Sequence, residues 1–310
     1  MHMADALLSP AVGATFWLVS GTAMAWCAHS LKTSGRDDLV PLMGVLGAFV
    51  FAAQMINVTI PGTGSSGHLG GGLLLSILLG PQAAFLVLAS VLTVQALFFA
   101  DGGLLALGAT LFNMGVVSCL VIYPLIYRPL MRHAGALPSK RRISWAALLS
   151  SVIGLQLGAL GVVLQTHWSG ISSLPVGTFM WLMQPIHLAI GVGEGLATAA
   201  LIVFVRQARP DLLAAGPRAA RSAFSPMVFG VGGLALLTAG VLSWFASSKP
   251  DGLEWSIAQT MGVTAAAAEV STWPVVDAGT SLAGVVGGAV TLALVLLVGY
   301  WLRRRKSPLQ

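Results

Sequence analysis

Apolar runs long enough to cross a hydrocarbon core of roughly 30 Å recur along this chain at about 11–31, 39–59, 81–100, 104–130, 143–166, 177–205, 226–246 and 280–302. Basic residues punctuate them. Lys32 and Arg36 follow the first run; Arg128, Arg132, Lys140, Arg141 and Arg142 surround the fourth-to-fifth turn; Arg206, Arg209, Arg218 and Arg221 follow the sixth; Arg303, Arg304, Arg305 and Lys306 follow the last. Loops rich in Lys and Arg stay on the cytoplasmic side of a bilayer. The pattern predicts an all-α polytopic bundle in the cell membrane, with the N-terminus outside and the C-terminus cytoplasmic.

Counting crossings exposes a parity problem. The second run exits outside near Ile60 and the run from Leu104 to Tyr127 ends inside, so it starts outside and an even number of crossings must lie between Ile60 and its start. Only 81–100 is obvious as the other member. The short apolar run Leu73–Gly80 must therefore cross or dip, as a short helix starting near His68 and buried among its neighbours, where irregular backbone is tolerated. The count becomes about seven helices in a main domain, residues 1–208, and two more afterwards. The Pro-, Arg- and Ala-rich stretch 209–225 reads as a cytoplasmic linker. Residues 226–310 read as an accessory pair of helices joined by an outer loop at about 247–279, leaning on the larger bundle.

Composition agrees with this reading. With 56% hydrophobic and 8% charged residues and a mean hydropathy of +0.87, the chain is too apolar for a soluble domain of its length. Its formal charge of +6 would suggest nucleic acid in a soluble protein. Here the basic residues orient loops against lipid, and no nucleic-acid partner is expected. Cys27 and Cys119 sit in apolar runs without metal-type spacing and read as reduced packing residues. The pairs Gly154/Gly158, Gly191/Gly195 and Gly284/Gly288 have the spacing that lets helices approach closely.

The chemistry concentrates at the start. A histidine directly after Met1 places an α-amine, a backbone amide and an imidazole on one short tether. Adjacent nitrogens of this kind close small chelate rings and suit a square-planar or tetragonal transition-metal ion, with one corner open for a further ligand. The ordinary reading of such a histidine is a frayed terminus. No Lys or Arg precedes Lys32, so a secretory signal is not expected and the terminus should be retained. His68, in the glycine-rich loop Pro61–Gly72, is the candidate for the open corner, on the same outer side as His2. That loop contains a literal G-x-G-x-x-G, but it lacks the βαβ context and acidic residue of a dinucleotide site and the lysine of a phosphate loop. The chain is not expected to hydrolyse ATP.

Within the apolar runs, Asn57, Gln95, Asn113, Gln156, Gln184, His187 and Glu194 are costly unless they face protein. His187 and Glu194 are seven apart and share a helix face. They read as a hydrogen-bonded pair or as support around a ligand, and equally as polar glue between helices. Asp101-Gly102-Gly103 reads as a tight outer turn with a solvated carboxylate. His29, His133 and His167 receive no role. Neither H-E-x-x-H nor G-x-S-x-G occurs.

These blocks together resemble the CbiM/NikM family, the substrate-binding membrane subunit of energy-coupling-factor transporters for cobalt and nickel. The resemblance covers roughly residues 1–208. It rests on Met1-His2 with Asp5 and Ser9-Pro10; on Asn57-Val58-Thr59-Ile60-Pro61-Gly62 running to His68; on Gln95-Ala96-Leu97 to Asp101-Gly102-Gly103-Leu104 and Phe112-Asn113-Met114; and on His187-Leu188 to Glu194. It implies Met1 amine, His2 amide and imidazole, and His68 imidazole as four nitrogens around Ni(II) or Co(II), with Asp5, Asn57, Gln95, Asn113, His187 and Glu194 in supporting positions. Met3-Ala4-Asp5-Ala6 departs from the usual β-branched third residue and acidic-Gly pair, which leaves nickel against cobalt open. Lys249-Pro250-Asp251-Gly252-Leu253-Glu254-Trp255 resembles the Pro-Asp-Gly-Leu-Glu signature of the small accessory subunit of the NikN/CbiN type, here on the same chain. Its acidic loop either presents metal to the N-terminal site or holds that site's loops.

The resemblance implies a metal-uptake subunit without an organic cofactor, driven by a coupling membrane subunit (CbiQ/NikQ-like) and an ATPase subunit (CbiO/NikO-like). Two rival readings of the residues remain. One is a stand-alone secondary permease that uses the His187/Glu194 face as a relay. The other is a membrane enzyme or assembly factor with an incidental metal site.

Overall fold

A computed structural model describes residues 1–132, 138–208, 224–262 and 280–304. Residues 209–223 of the expected linker, the outer loop beyond 262, His133, Arg209, Arg218, Arg221, Arg305 and Lys306 lie outside the described residues. The apolar runs are helices: α1 (Pro10–Ser34), α2 (Val40–Gln54), α3 (Gly72–Leu79) and α4 (Pro81–Phe98). They continue as α5 (Leu107–Met131), α6 (Lys140–Ser169), α7 (Val176–Ala208), α8 (Phe224–Gly240), α9 (Gly252–Met261) and α10 (Thr280–Arg304). Prolines open α1 and α4, where the missing N–H costs nothing. Ser139 caps α6 by accepting from Arg142 N, and Gly170 ends it in the left-handed conformation.

Seven described segments are long and apolar enough to span a membrane: α1, Asp37–Gln54, α4, α5, α6, α7 and Ser281–Leu302 within α10. Six of them lie in the first 208 residues. The short helix that the parity of the basic clusters calls for is α3, which starts at Gly72, four residues later than the predicted His68. Gly71 explains the delay, because its φ of +78° breaks helical continuity just before the run. Leu73–Ser76 and Leu79 of α3 are buried. Its far end meets the basic end of the bundle, where Arg36 Nη1 donates to Leu79 O at 3.4 Å. An eight-residue helix rises only about 12 Å, so the loop before it must descend into the bundle to make up the distance.

The spaced glycines do what small residues do in membrane helices. A Cβ at Gly191 or Gly195 on α7 would stand 3.0 Å from Val152 Cα or 2.7 Å from Leu148 Cα on α6. The C-terminal helices lean on the main bundle through α2: α10 crosses it with Gly288 beside Ala48 and packs Leu292 and Leu296 against Gly44. Cys27 and Cys119 are buried free thiols, as their apolar setting predicts.

Candidate metal centre

The first eight residues are folded into the bundle. Met1 is 7% exposed and Met3 and Leu8 are essentially buried. Three anchors hold them to the turn between α4 and α5. Met3 N donates to Thr110 Oγ1 at 3.1 Å, Gly103 N donates to Met3 O at 2.8 Å, and Ala106 N donates to Asp5 Oδ1 at 2.9 Å. The Asp101-Gly102-Gly103 turn is glycine-rich for a steric reason: a Cβ on Gly103 would collide with the backbone and carboxylate of Asp5. Asn113 Nδ2 approaches Met3 Sδ at 3.7 Å and is itself fixed by a reciprocal pair with Gln165, at 2.7 and 3.0 Å.

This anchoring delivers His2 to Asp101. Nδ1 of His2 lies 2.6 Å from Asp101 Oδ1, with the imidazole 4% exposed. The carboxylate read as a solvated turn residue is instead the partner of the candidate ligand, brought to it by the Gly103–Met3 contact. Nothing local in the sequence signals a pairing between residues so far apart. His2 Nε2 is buried without a hydrogen-bond partner among the described residues.

His68 arrives from the other side. The glycine-rich loop is a two-stranded hairpin, β1 (Val58–Thr59) against β2 (Ser66–Gly67), antiparallel with Val58 opposite Gly67. Beyond it the chain descends, and the carboxylate of Glu194 on α7 catches it: Gly70 N donates to Oε2 and Gly71 N to Oε1, both at 3.1 Å. A side chain at residue 70 would strike that carboxylate. Glu194 therefore does not pair with His187, whose Nδ1 is 2.8 Å from Met183 O one turn back on the same helix. The loop amides reach Glu194 first and use both its oxygens. The result puts the His68 ring 5.2 Å, centroid to centroid, from the His2 ring.

The C-terminal segment closes the third side. Ser66 N donates to Pro250 O at 2.8 Å, and Ser66 Oγ donates to Lys249 O at 2.7 Å. Ser247 N donates to Asn57 O. Asp251 opens α9 as a reciprocal cap: Oδ1 accepts from Leu253 N and Glu254 N, while Glu254 Oε2 accepts from Asp251 N. Its other oxygen, Oδ2, stands 3.5 Å from the Met1 amine. The stretch predicted as loop thus contains a helix, and Asp251-x-x-Glu254 was its signal.

Two carboxylates set the electrostatics of the centre. Burial pushes the Asp251 carboxyl up, but the Met1 ammonium, the backbone N–H donated by Glu254 and the two histidines outweigh that and bring it down to about 2. Asp101 is likewise lowered, because attraction to His2 and the hydrogen bond from it overcome burial. Burial, with His2 and the terminal ammonium nearby, pulls His68 down to about 4. His68 is therefore a neutral imidazole at neutral pH. Its Nδ1 lies 3.2 Å from Leu69 O; a carbonyl only accepts, so Nδ1 carries the proton and Nε2 offers the lone pair.

The remaining expected residues fall nearby with uneven roles. The Gln95 carbonyl accepts from Asp101 N at 3.2 Å, whereas both polar atoms of its buried side chain lack partners among the described residues. Asn57 contributes its carbonyl to the C-terminal segment, and its Oδ1 has no partner among the described residues. Gln165 belongs to the centre and was not singled out from the sequence, and Asp101 was read there only as a turn residue.

The model of the cobalt uptake substrate-specific transmembrane region, CbiM, matches residues 2–212, and that of the PDGLE domain matches residues 225–276. A fused nickel transport protein, NikMN, of Rhodobacter capsulatus is 34% identical over 241 residues, which cover 72% of this chain and 66% of that protein. The cobalt transport protein CbiM of Sorangium cellulosum is 31% identical over 222 residues, covering 69% and 94%. A crystallised truncated transition metal transporter superposes with a TM-score of 0.57 at 27% identity, over 67% of this chain and 99% of its own. The chain, buried terminus, glycine hairpin and capped C-terminal helix together, belongs to the CbiM family of cobalt- and nickel-type membrane transport components, with a PDGLE domain carried on the same polypeptide.

Proposed function

We propose that this protein captures Ni(II) or Co(II) at the outer side of the cell membrane and passes it inward as the substrate-binding subunit of an energy-coupling-factor importer. A coupling membrane subunit and a separate ATPase would supply the driving force. The ligands are the Met1 amine, the His2 amide and imidazole, and His68. The observation that carries this reading is the convergence of that amine and both imidazoles in one buried region, from two segments distant in sequence, residues 1–2 and the loop at 68.

The chemistry suits the cargo. Deprotonated amine, amide and imidazole nitrogens favour late first-row ions in planar or tetragonal fields. A chelate ring that includes the His2 amide closes through Nδ1, the nitrogen held by Asp101, so the ion and the carboxylate compete for it. Asp101 and Asp251 place negative charge beside an arriving dication, and Glu194 fixes the loop that carries His68. Because the ligands bind only when deprotonated, affinity rises with pH. The alternative of a permease relay along His187 and Glu194 finds little support, since both Glu194 oxygens are committed to loop amides.

Calorimetric titration of the full chain with Ni(II) and Co(II) tests the proposal. One tight equivalent is expected. Residues added ahead of Met1, His2→Ala and His68→Ala should each weaken it by more than about a hundredfold, above the usual cost of losing a supporting residue. Unchanged binding in all three variants overturns the ligand assignment, and metal uptake in vesicles without any ATPase overturns the partnership.

A further inference from the structure

Below the terminus lies a cavity of about 20 Å³, lined by Met1, His68, Met114, His187, Asp251 and Gly252 among others. Such a space admits one water or one small ion. His187 is 1% exposed, and about 17 Å of helix separate it from the start of α7. Its one hydrogen bond among the described residues runs from Nδ1 to Met183 O. The carbonyl only accepts, so Nδ1 holds the proton and Nε2 keeps its lone pair, the arrangement that orients a metal-ligating imidazole. A Cβ on Gly252 would stand 3.2 Å from His187 Cε1, so the free edge of the ring faces the Asp251–Gly252 tip and the cavity. The Met1 thioether lies at the opposite wall, where a Cβ on Gly158 would meet Sδ at 3.0 Å.

Resting on the reading that the terminus and His68 hold the ion, we propose that His187 is the next station: its Nε2 takes the ion from the N-terminal nitrogens as it moves inward, with the Met1 and Met114 thioethers as weak additional donors. An ionisable residue buried in a membrane helix is costly and is held there by a partner or a function. The electrostatics suit a transit point, because the Asp251 carboxylate lies on the same cavity. A station must also release what it binds, so it should be weak.

The test separates the two sites, using Co(II) as probe and the full-length chain. His187→Gln should keep one tight equivalent at the terminus, weakened by less than the roughly hundredfold loss expected of a ligand variant, which also reports folding, and should lower the rate of transport in the reconstituted importer by at least tenfold. In the His2→Ala background a weak Co(II) site should persist. Adding His187→Gln should remove it, and adding His187→Cys should restore it with a thiolate-to-cobalt absorption band that His2→Ala alone does not show. The station is overturned if His2→Ala and His2→Ala/His187→Gln bind Co(II) equally, if the cysteine variant gives no such band, or if His187→Gln transports at the unsubstituted rate. It is also overturned if His187→Gln alone abolishes tight binding, which would place His187 in the primary site. Tight binding that survives His2→Ala would instead count against the N-terminal ligand assignment.

Discussion

The two ends of the bundle are built differently. At the site end, backbone and side-chain bonds join segments far apart in sequence: Met3 to Thr110, Asp5 to Ala106, His2 to Asp101, Gly70 and Gly71 to Glu194, Ser66 to Pro250. At the basic end arginines bond to carbonyls: Arg36 to Leu79, Arg142 to Leu130 and Arg206 to Pro138. Packed helices hold the second end, and removing one of these single hydrogen bonds should cost little. The first end is a polar network in which each member positions the next. Function should accordingly be sensitive to small changes at one end and tolerant at the other.

The largest expected effect is Gly103→Ala. The added methyl displaces Asp5 and with it the register of the first five residues, so metal affinity should fall by more than about a hundredfold in a chain that still folds, read by calorimetry beside thermal unfolding. Asp251→Asn comes next. It keeps an oxygen for the α9 cap but removes the charge beside the Met1 amine, and affinity should drop about tenfold with helix content unchanged by circular dichroism. A qualitatively different outcome is expected from His68→Ala. Because the His68 imidazole is already neutral well above pH 4, it has no proton to release. The number of protons displaced per ion near neutral pH, from calorimetry in buffers of differing ionisation heat, should match the unsubstituted chain although affinity does not.

Acidification gives a smaller effect. The buried neutral His68 has a folded pKa near 4 against an ordinary 6.5, so the unfolded chain binds the proton first as pH falls. Its contribution to stability is therefore present above about pH 6.5 and lost between there and 4. The depressed Asp251 and Asp101 lose theirs only lower, as pH falls below the ordinary carboxylate range. Undocking of the terminus, followed by limited proteolysis, should begin in the first window. Smallest of all, Arg36→Ala at the basic end should cost about 1 kcal/mol or less of stability and leave the metal titration unchanged. A large loss of affinity there would erase the contrast between the two ends.

Much of the helical fold was legible because lipid imposes length and apolarity on every span. The parity of basic clusters even called for α3, although the break at Gly71 shifted its start. Pairings across the sequence were not legible. Apolar runs report which segments are buried and say nothing about which remote group a polar atom meets. The seven-residue spacing of His187 and Glu194 therefore suggested a partnership that the Gly70 and Gly71 amides displace, and Asp101 looked solvated while it holds His2. Asp251-x-x-Glu254 was a readable cap, but its place in a family signature drew attention from its local meaning. Asn113 was visible as a costly polar group, and its partner Gln165 was not.

Asp251 has one oxygen on the start of α9 and the other on the first residue of the chain. Residue 1 is synthesised well before residue 251, so the ion pair between Met1 and that carboxylate can form only after residue 251 has been added. Assembly of this corner of the molecule is thus tied to the late stages of translation, and the early-born amine must wait for a late-born counter-charge.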